Sequence, residues 1–401
     1  MNQRLSALLL AGAMGLSLAA CNAQPADPSA SPSASASASA SQAPTIEADL
    51  SQDLLTFSAN VAGDVTALTV NNQDVPADLF LYWLAMNCTY FDGYYGLYGY
   101  KVSDYAEMLL EDSVKMASYY TIMQQKANEL GCPLTDDQRS TIREDLMSNG
   151  EETYNNRKDL YGLSDSTMEF VYSVSTYYDN LLDTLVEKPS DEELNNYVYH
   201  CKHILLSTVD SSKQQELQED GTYAYPSLDE ATIAEKKALA ESLLAQLEAS
   251  DDPAALFDTL MKEHSEDPGL STSPDGYTAT LGEMVPEFEK AALALKAGEI
   301  SGIVESSYGY HIILREEVED LDEYADEYRQ QELDSQIDQW LEDAEITQAD
   351  ILSQLDVNDF YQRYTAWQAA KAEQLEAENP TSSAQPSADP SAQPSQEGSE
   401  D

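Results

Sequence analysis

The chain carries only four histidines in 401 residues, His200, His203, His264 and His311, and all of them fall in one window. Three sit in two apolar, β-branched runs: Tyr199-His200-Cys201-Lys202-His203-Ile204-Leu205-Leu206 and Tyr308-Gly309-Tyr310-His311-Ile312-Ile313-Leu314. Both runs are bounded by turn residues, and the pattern predicts two short buried strands. Imidazole is the side chain that changes charge near neutrality, so acid, base or neutral hydrogen-bonding chemistry is expected between these strands. A metal site at His200-x-x-His203 with Cys201 is disfavoured, because i and i+3 on a strand face opposite ways. The sequence has no Gly-x-Ser-x-Gly elbow, no metal-protease helix and no Cys-x-x-Cys, so neither an activated nucleophile nor a redox pair is indicated.

The elements that must position these groups are legible nearby. Asp252-Pro253 places an N-cap and a first-turn proline at the start of a helix that ends in His264-Ser265-Glu266-Asp267-Pro268-Gly269, with His264 as a helix-end residue. Pro286 opens another helix carrying Phe288, Ala291, Ala292 and Leu295, closed by Gly298.

In order, the motifs KHILL, HSEDPG and GEMVPEFEKAALALKAGEISGIVESSYGYHIILR resemble the parvulin family of peptidyl-prolyl cis-trans isomerases over roughly Tyr199 to Val318. The resemblance implies that His203 and His311 are the paired central histidines and that Asp267 stands where the family places Cys or Asp. Met284 and Phe288 match the apolar cup for the proline ring, and Tyr277 and Tyr308 are counted with the substrate-binding residues. Neither metal nor cofactor is implied. The usual Gly-Gly-Asp-Leu-Gly-x-Phe is here Asp275-Gly276-Tyr277-Thr278-Ala279, and Tyr277 is the residue that would refill that wall. Rotation about a prolyl bond faces a barrier of ~20 kcal/mol, and a thousandfold acceleration requires only about 4 kcal/mol. Such a site needs a dry apolar cup and polar groups that stabilise a twisted amide.

Around this module the sequence is extracytoplasmic in character. Residues 1–20 have the charged, hydrophobic and small-residue parts of a signal peptide, and Leu18-Ala19-Ala20-Cys21 resembles a lipoprotein box with Cys21 as the lipidation site. Residues 21–43 are a Ser/Ala/Pro tether, and 378–401 repeat that composition with added acid, so both are expected to be disordered. No later apolar run reaches membrane-spanning length, which leaves the lipid anchor as the membrane link. Asp and Glu number 73 against 20 Lys and Arg, a formal net charge of −53, which excludes nucleic acid and anionic lipid surfaces as partners. With Cys21 acylated, Cys88, Cys132 and Cys201 remain, and three thiols cannot all pair.

Residues 44–196 and 319–377 read as helical flanks. Asp64–Val75 predicts a hairpin turning at Asn71-Asn72; helices are expected over Pro76 to about Phe91, Ser103 to Leu130, from a Thr135/Gln138 capping box, and from Ser164 to about Glu187. Pro189–Glu193 should start a short linking helix, Gln214–Tyr225 reads as an added polar loop, and two further helical patterns run over Leu321–Ala344 and from Val357 to about Ala377. Neither amphipathic flank can stay in water alone, so the two are expected to pack on each other. The resulting α+β architecture is a parvulin-like domain, residues 197–318, inserted in an all-α chaperone-like domain built from both flanks. That layout, with VNNQDVPADLFLYWL, resembles extracytoplasmic foldases of the PrsA and SurA type. It implies a lipid-anchored isomerase assisting the folding of secreted proteins with Xaa-Pro bonds; the alternative is a parvulin-like holdase with weak or absent turnover.

Overall fold

The computed structural model describes residues 46–217 and 223–378, so the expected signal peptide, Cys21, the tether and the tail beyond residue 378 lie outside the described residues. Asp53 accepts from the Thr56 N–H and starts a short helix, α1 (Leu54–Ala59). The alternating stretch after it forms β1 (Thr66–Val70) and β2 (Gln73–Pro76). Between them Asn71 and Asn72 have φ of 49° and 65°, the pair of left-handed residues that matches the twist of a tight hairpin. Five helices follow: α2 (Ala77–Tyr95), α3 (Ala106–Glu129), α4 (Asp136–Met147), α5 (Glu151–Tyr161) and α6 (Asp165–Leu185). The Thr135/Gln138 capping box is present at the start of α4. Helix α5 was not expected; it buries only Tyr154, so it has no apolar stripe to betray it.

A second capping box, Ser190 with Glu193, opens α7 (Asp191–Tyr197), which runs directly into β3 (Val198–Ser207). The polar loop after it holds a minimal hairpin, β4 (Glu216–Leu217) with β5 (Tyr223–Ala224). Then come α8 (Glu230–Glu248), α9 (Pro253–His264), β6 (Tyr277–Thr280), α10 (Pro286–Ala294), β7 (Val304–Ser306) and β8 (Gly309–Glu316). The chain closes with α11 (Ala325–Glu342), β9 (Ile346–Gln348), α12 (Asp350–Ser353) and α13 (Val357–Glu378).

These elements form two units, one from the residues up to Leu185 together with those from Leu333 onward, the other Val186–Glu332. In the first, the flanks do pack on each other: β9 pairs with β1 to extend the hairpin into a three-stranded sheet, β2-β1-β9. The Trp367 indole N–H of α13 donates to the Gln52 carbonyl at 3.1 Å, and the Gln368 amide donates to the Leu160 carbonyl at 2.7 Å. Phe80, Leu84, Ile122, Leu181, Phe360 and Tyr364 are fully buried there. This unit is helical apart from that small sheet. Among the described residues no helix is long and apolar enough to cross a membrane.

The second unit is a four-stranded antiparallel sheet of order β6-β3-β8-β7. Alternation along β3 and β8 sends Ile204, Leu206, Tyr310, Ile312 and Leu314 to one face, where α8 and α9 cover them with Leu243, Leu247, Phe257 and Met261. Tyr199, Cys201 and Ile313 point to the other, against Phe288 and Ala292 of α10. Cys88, Cys132 and Cys201 are free thiols; burial pushes Cys88 and Cys201 up to about 12, which makes them inert.

Candidate functional site

The parity of β3 and β8 decides where the histidines go. His203 shares a face with Tyr199 and Cys201, and His311 shares one with Ile313. His203 lies opposite Ile313 and Leu205 opposite His311, so the two imidazoles are diagonal neighbours on the α10 side of the sheet. Their rings are nearly parallel, with centroids 5.4 Å apart and planes at 12°, and their Nδ1 atoms are 3.1 Å apart. His200 has the other parity and bonds elsewhere, Nδ1 to the Thr278 hydroxyl at 2.9 Å and Nε2 to the Asp275 carbonyl at 2.8 Å.

Asp267 arrives along the edge of β3. Strand β6 pairs only with Val198–Cys201, so the edge from His203 onward is left for another segment. The turn after α9 takes it: Glu266 N–H donates to the Leu205 carbonyl at 2.8 Å, Leu205 N–H to Ser265 Oγ at 3.1 Å, and Ser207 N–H to Glu266 Oε2 at 2.8 Å. An ion pair from Lys236 to Glu266 ties that turn to α8. The next residue, Asp267, then faces His203, with Nε2 and Oδ2 3.0 Å apart.

Four polar groups extend the line. Tyr277 hydroxyl donates to Asp267 Oδ2 at 2.7 Å, and Gly269 N–H to Oδ1 at 3.0 Å. At the far end Ser306 Oγ is 2.7 Å from His311 Nε2 and also receives the Tyr308 N–H at 3.1 Å. A carboxylate only accepts, so His203 Nε2 carries a proton. With His203 neutral, its Nδ1 must accept from His311 Nδ1–H, and His311 Nε2 in turn accepts from the Ser306 hydroxyl. Every donor then points toward Asp267. Burial would raise the Asp267 pKa, but the hydrogen bonds from His203, Tyr277 and Gly269 outweigh it and hold the carboxyl at about 2. Burial, reinforced by His203, pushes His311 down to about 4 against a weaker opposing pull from Asp267. At neutral pH the site therefore pairs an ionised carboxylate with a neutral His311.

The apolar wall is α10. Phe288, 3% exposed, stands edge-on to both imidazoles, 5.3 Å from His203 and 5.5 Å from His311. Met284, half-buried, packs against the same cluster. Arg315 on β8 fixes the helix: Nη1 donates to the Ala292 and Leu295 carbonyls, both at 3.2 Å, and Nη2 to the Asn195 carbonyl at 2.6 Å. A cation on the last carbonyls of a helix also favours its dipole. The structure thus brings together His203, Asp267, His311, Tyr277, Met284 and Phe288. It leaves the Tyr308 side chain on the exposed β7–β8 turn, 44% accessible, linked to the network through its backbone. Ser306 and Arg315 were not among the expected residues. The signal for Ser306 was its place just before the turn into the histidine strand; for Arg315 it was a lone cation at the end of that strand's apolar run, in a chain poor in Lys and Arg.

Compared with known proteins, residues 203–317 match the rotamase family described as the PPIC-type PPIASE domain. The chain is similar to a foldase protein PrsA of Oceanobacillus iheyensis, 31% identical over 212 residues, covering 44% of this chain and 68% of that protein. A foldase protein PrsA of Halalkalibacterium halodurans is 37% identical over 128 residues, covering 31% of this chain. The chain spans 36% of the length of that relative. A crystal structure of a peptidylprolyl isomerase (PrsA) from Bacillus cereus aligns over 75% of this chain and 99% of its own at 17% identity, with a TM-score of 0.35.

Proposed function

The chain belongs to the PrsA foldase family, and we propose that it is a peptidyl-prolyl cis-trans isomerase that assists the folding of secreted proteins outside the cytoplasm, tethered to the membrane by a lipid on Cys21. The observation that carries the isomerase reading is the hydrogen-bonded line Ser306–His311–His203–Asp267 whose imidazoles meet Phe288 edge-on. It offers what amide rotation requires: an apolar seat for a proline ring and a fixed anion beside it.

The chemistry follows from the resonance of the peptide bond. In the planar amide the carbonyl oxygen carries negative charge and the nitrogen positive charge; in the twisted state both are diminished. An ionised Asp267 facing the carbonyl disfavours the planar form more than the twisted one, which lowers the barrier without any bond being made or broken. His203 and His311 hold that carboxylate in place. Phe288, Met284 and the Tyr277 ring receive the proline, and Tyr308 lies at the rim. The substrates are unfolded or partly folded secreted chains with accessible Xaa-Pro bonds.

A second reading, a holdase with little turnover, is favoured by one observation. Ala279 stands in the wall where the parvulin pattern has phenylalanine, and it is 2% exposed, so the cup is closed by neighbouring side chains instead of by a ring at that position. An exchange assay on a short Xaa-Pro peptide decides between them: isomerisation above the spontaneous rate is expected, and its absence alongside suppression of aggregation replaces the isomerase with the holdase. For the anchor, Cys21→Ser should abolish acyl labelling and release the protein from the membrane fraction; a variant still labelled and sedimenting with membranes sinks that part of the proposal.

A further inference from the structure

Tyr277 opens β6 opposite Cys201, so its side chain emerges on the α10 face beside His203. The ring stands edge-on to His203 at 5.9 Å and 81°. Its hydroxyl, however, is directed at Asp267, 2.7 Å from the same Oδ2 that His203 approaches at 3.0 Å. The hydroxyl reaches that oxygen because position 269 has no side chain: a Cβ there would lie 2.0 Å from the Tyr277 oxygen and 3.1 Å from Cζ. Gly269 has an unremarkable backbone and could hold alanine were it not for the tyrosine. Its own N–H meanwhile holds the other carboxylate oxygen at 3.0 Å.

From this geometry we propose that Tyr277 and Gly269 form a clamp that fixes Asp267, making Tyr277 a positioning residue for the isomerisation. The clamp rests on the isomerase reading for its purpose but not for its existence. Three donors on two oxygens leave the carboxylate no free rotation, and two of them converge on the oxygen nearest His203. Without the hydroxyl, Oδ2 keeps one partner, the carboxylate swings, and His203 loses the anchor that orders the rest of the line. The Tyr277 hydroxyl itself stays protonated: burial, then its hydrogen bond to Asp267 and the charge there, push it well above the ordinary phenol range.

The test uses the full chain with 13C-labelled aspartate. In the unmodified protein the Asp267 carboxyl resonance should be flat between about pH 3 and 6, whereas Tyr277→Phe, which keeps the ring, should bring its titration into that window, a shift of about one unit. The same variant should lose about tenfold in kcat with KM within twofold, the signature of lost positioning rather than lost binding. Gly269→Ala should reproduce both effects with the tyrosine intact, and the double variant should be no worse than either single one. An unchanged carboxyl titration in Tyr277→Phe overturns the clamp, as do additive losses in the double variant. If the unmodified chain has no turnover, the isomerase reading fails while the titration still decides the clamp. If it turns over normally and the titration does not move, the clamp fails and the isomerase stands.

Discussion

His311 is 3% exposed, and its burial sets how the site responds to acid. Its pKa in the fold is about 4 against an ordinary 6.5. Between those values the unfolded chain binds a proton that the folded chain refuses, so stability is fully present above pH 6.5 and is lost as pH falls toward 4. From pH 7 to pH 5 the loss should be about 2 kcal/mol from this group alone. Asp267, held at about 2 from a usual 3.8, adds a further loss of the same sign only below 3.8. Denaturant titrations at pH 7 and pH 5 on the chain and on His311→Gln measure the first effect; equal pH slopes for the two would refute it. Asp267 itself is more deeply engaged than a turn residue need be. Asp267→Ala strands the His203 and Tyr277 donors and the Gly269 N–H, at about 1–3 kcal/mol. Asp267→Asn keeps the shape but offers one acceptor oxygen and a donating amide where three donors converge, so it should cost about 1–3 kcal/mol as well, still fold at pH 7, and lose most peptide isomerisation. Retained turnover in that variant would show that the anion is not what lowers the barrier.

At the scale of elements, the site depends on the pairing of β3 with β8, and that pairing depends on Gly309. Its φ is 147°, and an added Cβ would lie 2.2 Å from the Leu206 carbonyl oxygen, a backbone atom that cannot step aside. Gly309→Ala should therefore destabilise this unit by on the order of 3 kcal/mol. Hydrogen exchange should localise the loss to Leu205–Ser207 and Gly309–His311, and protection equal to the unmodified chain would count against it. The first hairpin, the two histidine strands and the helix caps were legible in the sequence, because they follow from period-two alternation and local capping, whereas the pairing of His203 with His311 was implied by the resemblance to parvulins. The Ser265–Asp267 segment on the β3 edge was not legible, since it joins residues some sixty positions apart and depends on β6 stopping at Tyr277. Strand β9 is three residues long and pairs with β1 across most of the chain, too short a run to carry a pattern of its own. Tyr277 was read as a wall residue from its ring; that its hydroxyl bonds Asp267 rests on Gly269, a turn glycine whose need for space sequence alone does not reveal.

The whole molecule divides at Val186 and Glu332, wider than the expected 197–318. The difference has structural content. Helix α7 buries Leu194 to 1% exposure, its Asn195 carbonyl receives Arg315, and Tyr197 meets Tyr328 with ring centroids 5.3 Å apart. A fragment of residues 186–332 should accordingly unfold in a single cooperative transition, and one of residues 197–318 should melt measurably lower, having lost the Asn195 carbonyl that receives Arg315 Nη2 and the Tyr328 ring. Calorimetry on the two fragments is the check, and equal midpoints would mean that α7 contributes nothing. The same division has an optical consequence. All three tryptophans, Trp83, Trp340 and Trp367, lie outside Val186–Glu332, and Trp83 and Trp367 are 6% and 3% exposed. Excited at wavelengths that only indole absorbs, the protein emits from its helical unit alone, with two of the three emitters shielded from water. The Val186–Glu332 unit is dark there, so in the isolated fragment a tryptophan placed in a proline peptide would be the sole source of light, and its emission would report binding without a background to subtract.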